Sequence, residues 1–561
     1  MTRARLLRSR RARRLGLLVV ATLLVTAGCS SDDDGGSAST TTEFTTTASS
    51  QPEAARRDCV APADLETPLT TPVEGTPSDL TLTSFDGTLI RIHWFPTEGA
   101  ADEPAPTILM GPGWSLPGDT STDGAPLFGA LGIGLLNDEG YNVLTWDPRG
   151  FGESTGTASV NDPQIEGGDV TYLFNWLAAQ PEVKLDAQGD PRMGMVGSSY
   201  GGGIQLTVAS TDCRVDAIVP GLAWHSLETS LYKAETVKEG WATLLVDAAA
   251  GGSVDPHVTS AHASGAATGT ISEEDITWFR SRGPGASIDL VDIPTLFVQG
   301  TVDTLFTLDE AVTNFTSLRE RKVPTAMVWF CGGHGTCLTD AGDPERVTQA
   351  SLAWLDRYVK EDDSVDTGPV LDIVDQDGTR WTGQDWPLPS GPGITSQSSG
   401  GTLELVAEGG SGPIETPTGP DPLAGLVSGI TPARAENAVD VTVDTGSQEG
   451  VVVGAPKLSL SYTGTAPDGP RPTRVFAQLV DEETGTVVGN QVTPIEVILD
   501  GTARTTEVDM EMIAQHVRGG QDLTLQIVAT TVAYAAPRLG GSITFDSIGL
   551  DLVVSEGLTE G

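Results

Sequence analysis

Between residues 107 and 359, short apolar strands alternate with stretches of helix length, and no other feature narrows the fold as much. Thr107–Met110, Tyr141–Trp146, Met193–Val196, Ala217–Val219, Thr295–Gln299 and Ala326–Phe330 read as strands. Ile165–Gln180 reads as a helix with Val170, Leu173, Phe174 and Leu177 on one face, and Val347–Val359 as a closing helix. Strands joined by helical crossovers pair in parallel and are covered on both faces. The pattern therefore predicts an α/β fold built on a doubly wound, mostly parallel sheet. Ahead of it, Leu80–Phe95 alternates apolar and polar residues around Asp86-Gly87, a hairpin signal.

Two regions depart from this rhythm. Residues 224–285 lie between two strands and are far longer than an ordinary crossover, so they read as a helical insertion, a lid over the site. After about residue 366, short alternating strands are separated by Gly, Pro and Asp turns: Leu458–Tyr462, Val475–Val480, Leu523–Val528 and Ile548–Val554. That spacing predicts an all-β sandwich of the jelly-roll kind. The ordered domains are then a catalytic α/β domain over 59–365 and a β-sandwich over 366–561.

The first 28 residues hold seven Arg and no acid, then an apolar core from Leu15 to Val25, then small residues. This is a signal peptide, and its apolar run is too short to span a bilayer. Thr26-Ala27-Gly28-Cys29 resembles a bacterial lipobox, which implies a lipid on Cys29 and an envelope-anchored protein, or a secreted one if Cys29 is unmodified. Residues 29–58, rich in Ser, Thr, Asp and Gly, read as a flexible tether. The formal charge of −44 repels nucleic acid and anionic headgroups, so neither is an expected partner and the membrane is reached through the lipid alone. Cys59, Cys213, Cys331 and Cys337 remain, an even number in an exported chain, which favours disulfides. Of the three possible connectivities, Cys331–Cys337 with Cys59–Cys213 is favoured. Neither a Cys-x-x-Cys pair nor a His-Glu-x-x-His motif appears in the sequence, so a metal site is not indicated and no cofactor is expected.

Gly197-Ser198-Ser199-Tyr200-Gly201 has the G-x-S-x-G form, with a strand before it and a helix after it. A strand that reverses into a helix within a few residues needs glycines, and it exposes the serine hydroxyl at the helix N-terminus. That is the nucleophile elbow of the α/β-hydrolase fold, with Ser199 as nucleophile. A serine hydroxyl needs a base. Of the six His, His334 lies in Cys331-Gly-Gly-His-Gly-Thr-Cys337 after the last strand, where this fold places it. His225 is the rival, His93 reads as structural, His257 and His262 fall in the lid, and His516 falls in the sandwich. Asp303, after the strand ending at Gln299, is the expected acid. Asp309 is the runner-up for the acid and reads rather as the cap of the helix that follows. The oxyanion hole is expected from the Tyr200 N–H together with the Gly113 amide, the Trp114 amide or the Trp114 indole.

Gly197-Ser-Ser-Tyr-Gly-Gly202, Trp146-Asp-Pro-Arg-Gly-Phe-Gly-Glu-Ser-Thr-Gly156, Gly300-Thr-Val-Asp-Thr-Leu-Phe306 and Gly333-His334 together resemble the Xaa-Pro dipeptidyl-peptidase family, which also contains bacterial cocaine esterase. The resemblance covers roughly residue 80 to the C-terminus. It implies a helical lid, a C-terminal jelly roll and hydrolysis of an acyl bond in a small ester or Xaa-Pro peptide by Ser199, Asp303 and His334. The family often takes an oxyanion donor from a Tyr hydroxyl where this chain has Gly111-Pro-Gly-Trp114. A plain carboxylesterase and a non-catalytic ligand-binding lipoprotein are the alternatives.

Overall fold

A computed structural model describes residues 59, 66–123, 131–415 and 422–561. The signal peptide, Cys29 and the tether lie outside the described residues. Strands β1 (Thr70–Pro72), β2 (Asp79–Thr83), β3 (Leu89–Phe95), β4 (Thr107–Met110), β5 (Asn142–Trp146), β6 (Met193–Ser198), β7 (Ala217–Gly221), β8 (Thr295–Gly300), β9 (Thr325–Phe330), β10 (Leu371–Val374) and β11 (Arg380–Gly383) form one sheet. Thr559–Glu560 completes it as the twelfth strand, in the order β1-β2-β3-β5-β4-β6-β7-β8-β9-β10-β11 and then Thr559–Glu560. Pairing is parallel from β5 through β10 and antiparallel at both margins. The sheet continues past residue 366: β10 and β11 pair in it, and the sandwich's own strands begin at Ile394.

The central strands are apolar throughout because both faces are covered. In β8, Phe297 enters the core on one side while Leu296 and Val298 enter the core on the other. The first face packs under α2 (Glu166–Leu177), α3 (Tyr200–Ala209) and α8 (Leu308–Glu320), the second under α1 (Ile133–Asp138) and α9 (Arg346–Tyr358), whose Trp354 and Leu355 are fully buried. Val170, Leu173, Phe174 and Leu177 of α2 all face the core, as the 3.6-residue period requires.

Between β7 and β8 the chain folds into the helical insertion expected as a lid, with helices α4 (Leu227–Leu231), α5 (Glu239–Ala248), α6 (Pro256–Thr268) and α7 (Glu273–Arg280). Their ends are written locally. Ser226, Asp255 and Ser272 accept backbone N–H groups at the starts of α4, α6 and α7, Pro256 opens α6, and Gly269 at φ 74° closes it.

The strands of the C-terminal part pair antiparallel, with one isolated parallel bridge between Ser411 and Thr531. One sheet runs Ile394–Ser398, Ser542–Leu552, Lys457–Thr465, Ala503–Asp509, with Thr402–Glu404 added on Ser542–Leu552. The other is built on Ala438–Asp444, Asp522–Val528 and Arg471–Asp481, with Thr493–Leu499 beside the last. The ribbon of Gly450–Gly454 and Ile513–Val517 stands between the two parts. Its alternation is divided: Val451, Val453 and Ala514 pack in the core of the α/β sheet, Val452, Ile513 and Val517 in that of the sandwich. Among the described residues no helix is long and apolar enough to cross a membrane.

Candidate active site

β6 turns into α3 through Ser199, which sits at φ 58°, ψ −118°. A non-glycine residue stays in that region only where its surroundings over-determine it. Here its N–H donates to the Gly221 carbonyl at 2.9 Å, and its own carbonyl accepts the Gly202 and Gly203 N–H groups. The approach of neighbouring backbone fixes two glycines: a Cβ on Gly201 would lie 2.1 Å from the Gly111 oxygen, and one on Gly197, at φ 139°, would lie 2.5 Å from it.

Three strand ends converge on Ser199. Its Oγ lies 2.9 Å from His334 Nε2, and His334 Nδ1 lies 2.7 Å from Asp303 Oδ2. The backbone N–H of His334 also donates to Asp303 Oδ2, at 3.1 Å. Asp303 is fully buried, and its Oδ1 accepts the Leu305 and Phe306 N–H groups at 2.9 and 2.8 Å. Four donors therefore meet one carboxylate. The rings of Phe306 and Trp241 stand edge-on to the imidazole at 5.2 and 5.8 Å. A hydroxyl, an imidazole and a carboxylate in this series can pass a proton from Ser199 Oγ to His334 Nε2 and steady the charge that develops on the ring.

The other histidines are engaged elsewhere. His225 Nδ1 pairs with Asn314 Oδ1 at 2.8 Å, and His93 lies between Asp79 and Asp147, whose hydrogen bonds raise its pKa against the opposing effect of burial. Asp309 is not a cap. Thr307 is the N-cap residue of α8, and Asp309 in its first turn meets Lys233 of the lid at 3.2 Å. Burial together with the neighbouring Glu511 pushes the Asp309 carboxyl up to about 7.

Tyr200 is the first residue of α3, so its N–H has no acceptor within the helix. Of the three second donors considered, the Trp114 indole is already used: it donates to the Leu245 carbonyl of the lid at 2.9 Å. The Gly113 and Trp114 amides remain. The Trp114 ring packs edge-on between Phe151 and Tyr200, at 4.8 and 5.1 Å. Behind Tyr200, its hydroxyl points at Glu166 Oε1, 3.3 Å away, and its carbonyl accepts Asn161 Nδ2 at 2.8 Å. Burial pushes the Glu166 carboxyl up to about 7, against the Ser159 N–H, which favours its charged form.

Both favoured disulfides are present. Cys331–Cys337 closes the His334 loop, and Cys59–Cys213 joins residues 154 apart in sequence. Spacing did not reveal the sandwich's contribution: Gln491 Nε2 donates to the Asp303 carbonyl at 2.9 Å and Asn490 Nδ2 to the Thr336 carbonyl at 3.0 Å. Neither carries a local signal, because the residues they hold lie 188 and 154 positions earlier in the chain.

Residues 86–336 match the family model described as X-Pro dipeptidyl-peptidase (S15 family). A CocE/NonD family hydrolase from Staphylococcus aureus superimposes with a TM-score of 0.59 at 13% identity, over 85% of this chain and 93% of that one. An aminopeptidase from a marine sediment Thaumarchaeota archaeon gives 0.55 at 11% identity, over 91% and 99%. At such identities the likeness is one of fold. An uncharacterised 31.7 kDa protein of Escherichia coli, in a traX-finO intergenic region, is 37% identical over 89 residues, 16% of this chain; the match spans only 29% of that relative.

Proposed function

For this chain, a serine hydrolase of the ester- and peptide-cleaving type whose residues 86–336 match the X-Pro dipeptidyl-peptidase family, we propose that Ser199, His334 and Asp303 hydrolyse a small acyl substrate through an acyl-enzyme. The observation that carries this is the unbroken series from Ser199 Oγ to His334 to Asp303, at 2.9 and 2.7 Å. Ser199 Oγ attacks the scissile carbonyl as its proton passes to His334 Nε2. Asp303 holds the Nδ1–H tautomer and steadies the imidazolium. The oxyanion is met by the Tyr200 N–H and by a backbone amide at Gly113 or Trp114. The imidazolium then protonates the leaving alcohol or amine, and water, activated by the same imidazole, releases the acid. The substrate class is a carboxylic ester or an Xaa-Pro peptide.

The Phe306 and Trp241 rings beside the imidazole give its surroundings an apolar face that suits either substrate class. The basic and apolar N-terminus and the lipobox-like Thr26-Ala27-Gly28-Cys29 support an exported enzyme held at the envelope by lipid; a Cys29→Ala chain is then expected to fractionate as soluble.

A fluorophosphonate should label Ser199, and Ser199→Ala should abolish both labelling and turnover. A panel of short-chain esters and Xaa-Pro amides then separates the two substrate classes. Labelling at another residue, or turnover that survives Ser199→Ala, overturns the assignment.

A further inference from the structure

The segment Asp303–Phe306, which carries the acid of the proposed triad, is held at every residue by a different partner. The Asp303 carbonyl accepts Gln491 from the sandwich, and Thr304 Oγ1 accepts the Trp241 indole N–H of the lid at 3.0 Å. The Leu305 carbonyl accepts Lys238 Nζ, also of the lid, at 3.0 Å, and the Phe306 carbonyl accepts Gln299 Nε2 of β8 at 2.6 Å.

The Lys238 bond stands apart from the others. The Leu305 carbonyl and the Phe306 N–H belong to one peptide group, which is planar and trans, so its oxygen and its hydrogen point in opposite directions. Lys238 grips the oxygen end. The hydrogen end donates to Asp303 Oδ1 at 2.8 Å. An ammonium on the carbonyl therefore fixes the tilt of the peptide plane and polarises the N–H that meets the carboxylate.

Lys238 is only 3% exposed. Around it stand Glu511 and Tyr534 of the sandwich, Lys233 of the lid, and Asp303 and Glu310 of the α/β domain. The Tyr534 ring centroid lies 5.9 Å from Nζ. Burying a lysine is expensive, and burial holds its pKa down at about 8. Packing alone would be served as well by Met, which has the length of the lysine stem and no desolvation cost.

We infer that Lys238 is a positioning residue for the triad's acid, acting through the peptide group between Leu305 and Phe306. The inference rests on the triad reading and adds to it a role for the lid: part of the frame that aims Asp303 is supplied from above the site.

The test is Lys238→Met and Lys238→Gln in the full chain, with rates divided by the active sites that a fluorophosphonate titrates, so that loss of folded protein drops out. Lys238→Met should lower kcat about tenfold or more with KM within about twofold, because small misplacements of a catalytic group are costly in rate. Lys238→Gln keeps a donor without the charge and should recover part of the lost kcat, a rescue that a merely structural role would not give; it carries the same readout if the Met variant yields no folded protein. Per-site kcat equal to the wild type in both variants overturns the inference. Asp303→Asn, run alongside, keeps the two readings distinguishable. It should lose about 10³–10⁴ in kcat. If it does not, the acid assignment fails and the inference falls with it; if it does and Lys238→Met is neutral, the positioning role alone is refuted.

Discussion

Glu166 shows how a single buried acid ties the pH response of this fold to its active-site region. Its carboxyl lies behind Tyr200, the residue whose N–H faces the proposed oxyanion, and burial raises its pKa to about 7 from an ordinary 4.5. A folded state that holds a proton more tightly than the unfolded chain is favoured while that proton is bound. Glu166 therefore contributes its full share of stability below about pH 4.5, and that share is lost as pH rises through about 7. The loss is at most about 3 kcal/mol, at 1.36 kcal/mol per pH unit. Glu166→Gln cannot ionise, so the fall in unfolding free energy between about pH 5 and 7 should become shallower. Denaturant titrations at several pH values read this directly, and an unchanged slope would remove Glu166 as its source. At this scale Ser199, His334 and Asp303 could be picked out from sequence because each follows the end of an apolar strand, a local position. Glu166, Lys238 and Gln491 could not, since what they touch is brought to them by packing between distant segments.

Among the elements, the six-residue spacing of Cys331 and Cys337 encloses the imidazole loop, whereas Cys59–Cys213 spans 154 residues. Loop-closure entropy grows with ring size, to about 2 kcal/mol for the first ring and about 5 kcal/mol for the second. Their effects on catalysis should run the other way. His334 lies between three glycines, Gly332, Gly333 and Gly335, so the short ring restricts backbone freedom just where the imidazole must meet Ser199. The double variant Cys331→Ser, Cys337→Ser should lose several-fold in kcat with a small fall in Tm. Cys59→Ser with Cys213→Ser should lose several degrees in Tm with kcat little changed. Equal effects of the two pairs on kcat would show that the short ring does not order the loop. Most strands and the helical insertion are legible from apolar period, turn residues and the length of the crossover. β10 and β11 were not assigned to the central sheet, because a short strand after a long α/β run carries no mark of which sheet it joins. Its partner is decided by the exposed edge of β9.

For the whole molecule, the ribbon of Gly450–Gly454 and Ile513–Val517 decides whether the α/β part and the sandwich are separate folding units. A domain that folds alone keeps its apolar surface to itself. Here the ribbon sends Val451 and Val453 into one core and Val452 into the other, and Thr559–Glu560 completes the central sheet from the far end of the chain. Neither part closes its core without the other, so one cooperative transition is expected for both. All 11 Trp lie at or before residue 386, so their fluorescence reports chiefly on the α/β part, with Trp381 also packed 5.3 Å from His516 of the ribbon. Calorimetry and far-ultraviolet circular dichroism report both parts. The three should give coincident midpoints and a single calorimetric peak. Val452→Asp then makes the argument local: it buries a charge on the sandwich side of the ribbon, a change worth several kcal/mol. With shared cores it should lower the Trp midpoint together with the other two. If it splits the calorimetric trace and leaves the Trp transition where it was, the ribbon is a contact between two independent domains and the α/β part is stable without the sandwich.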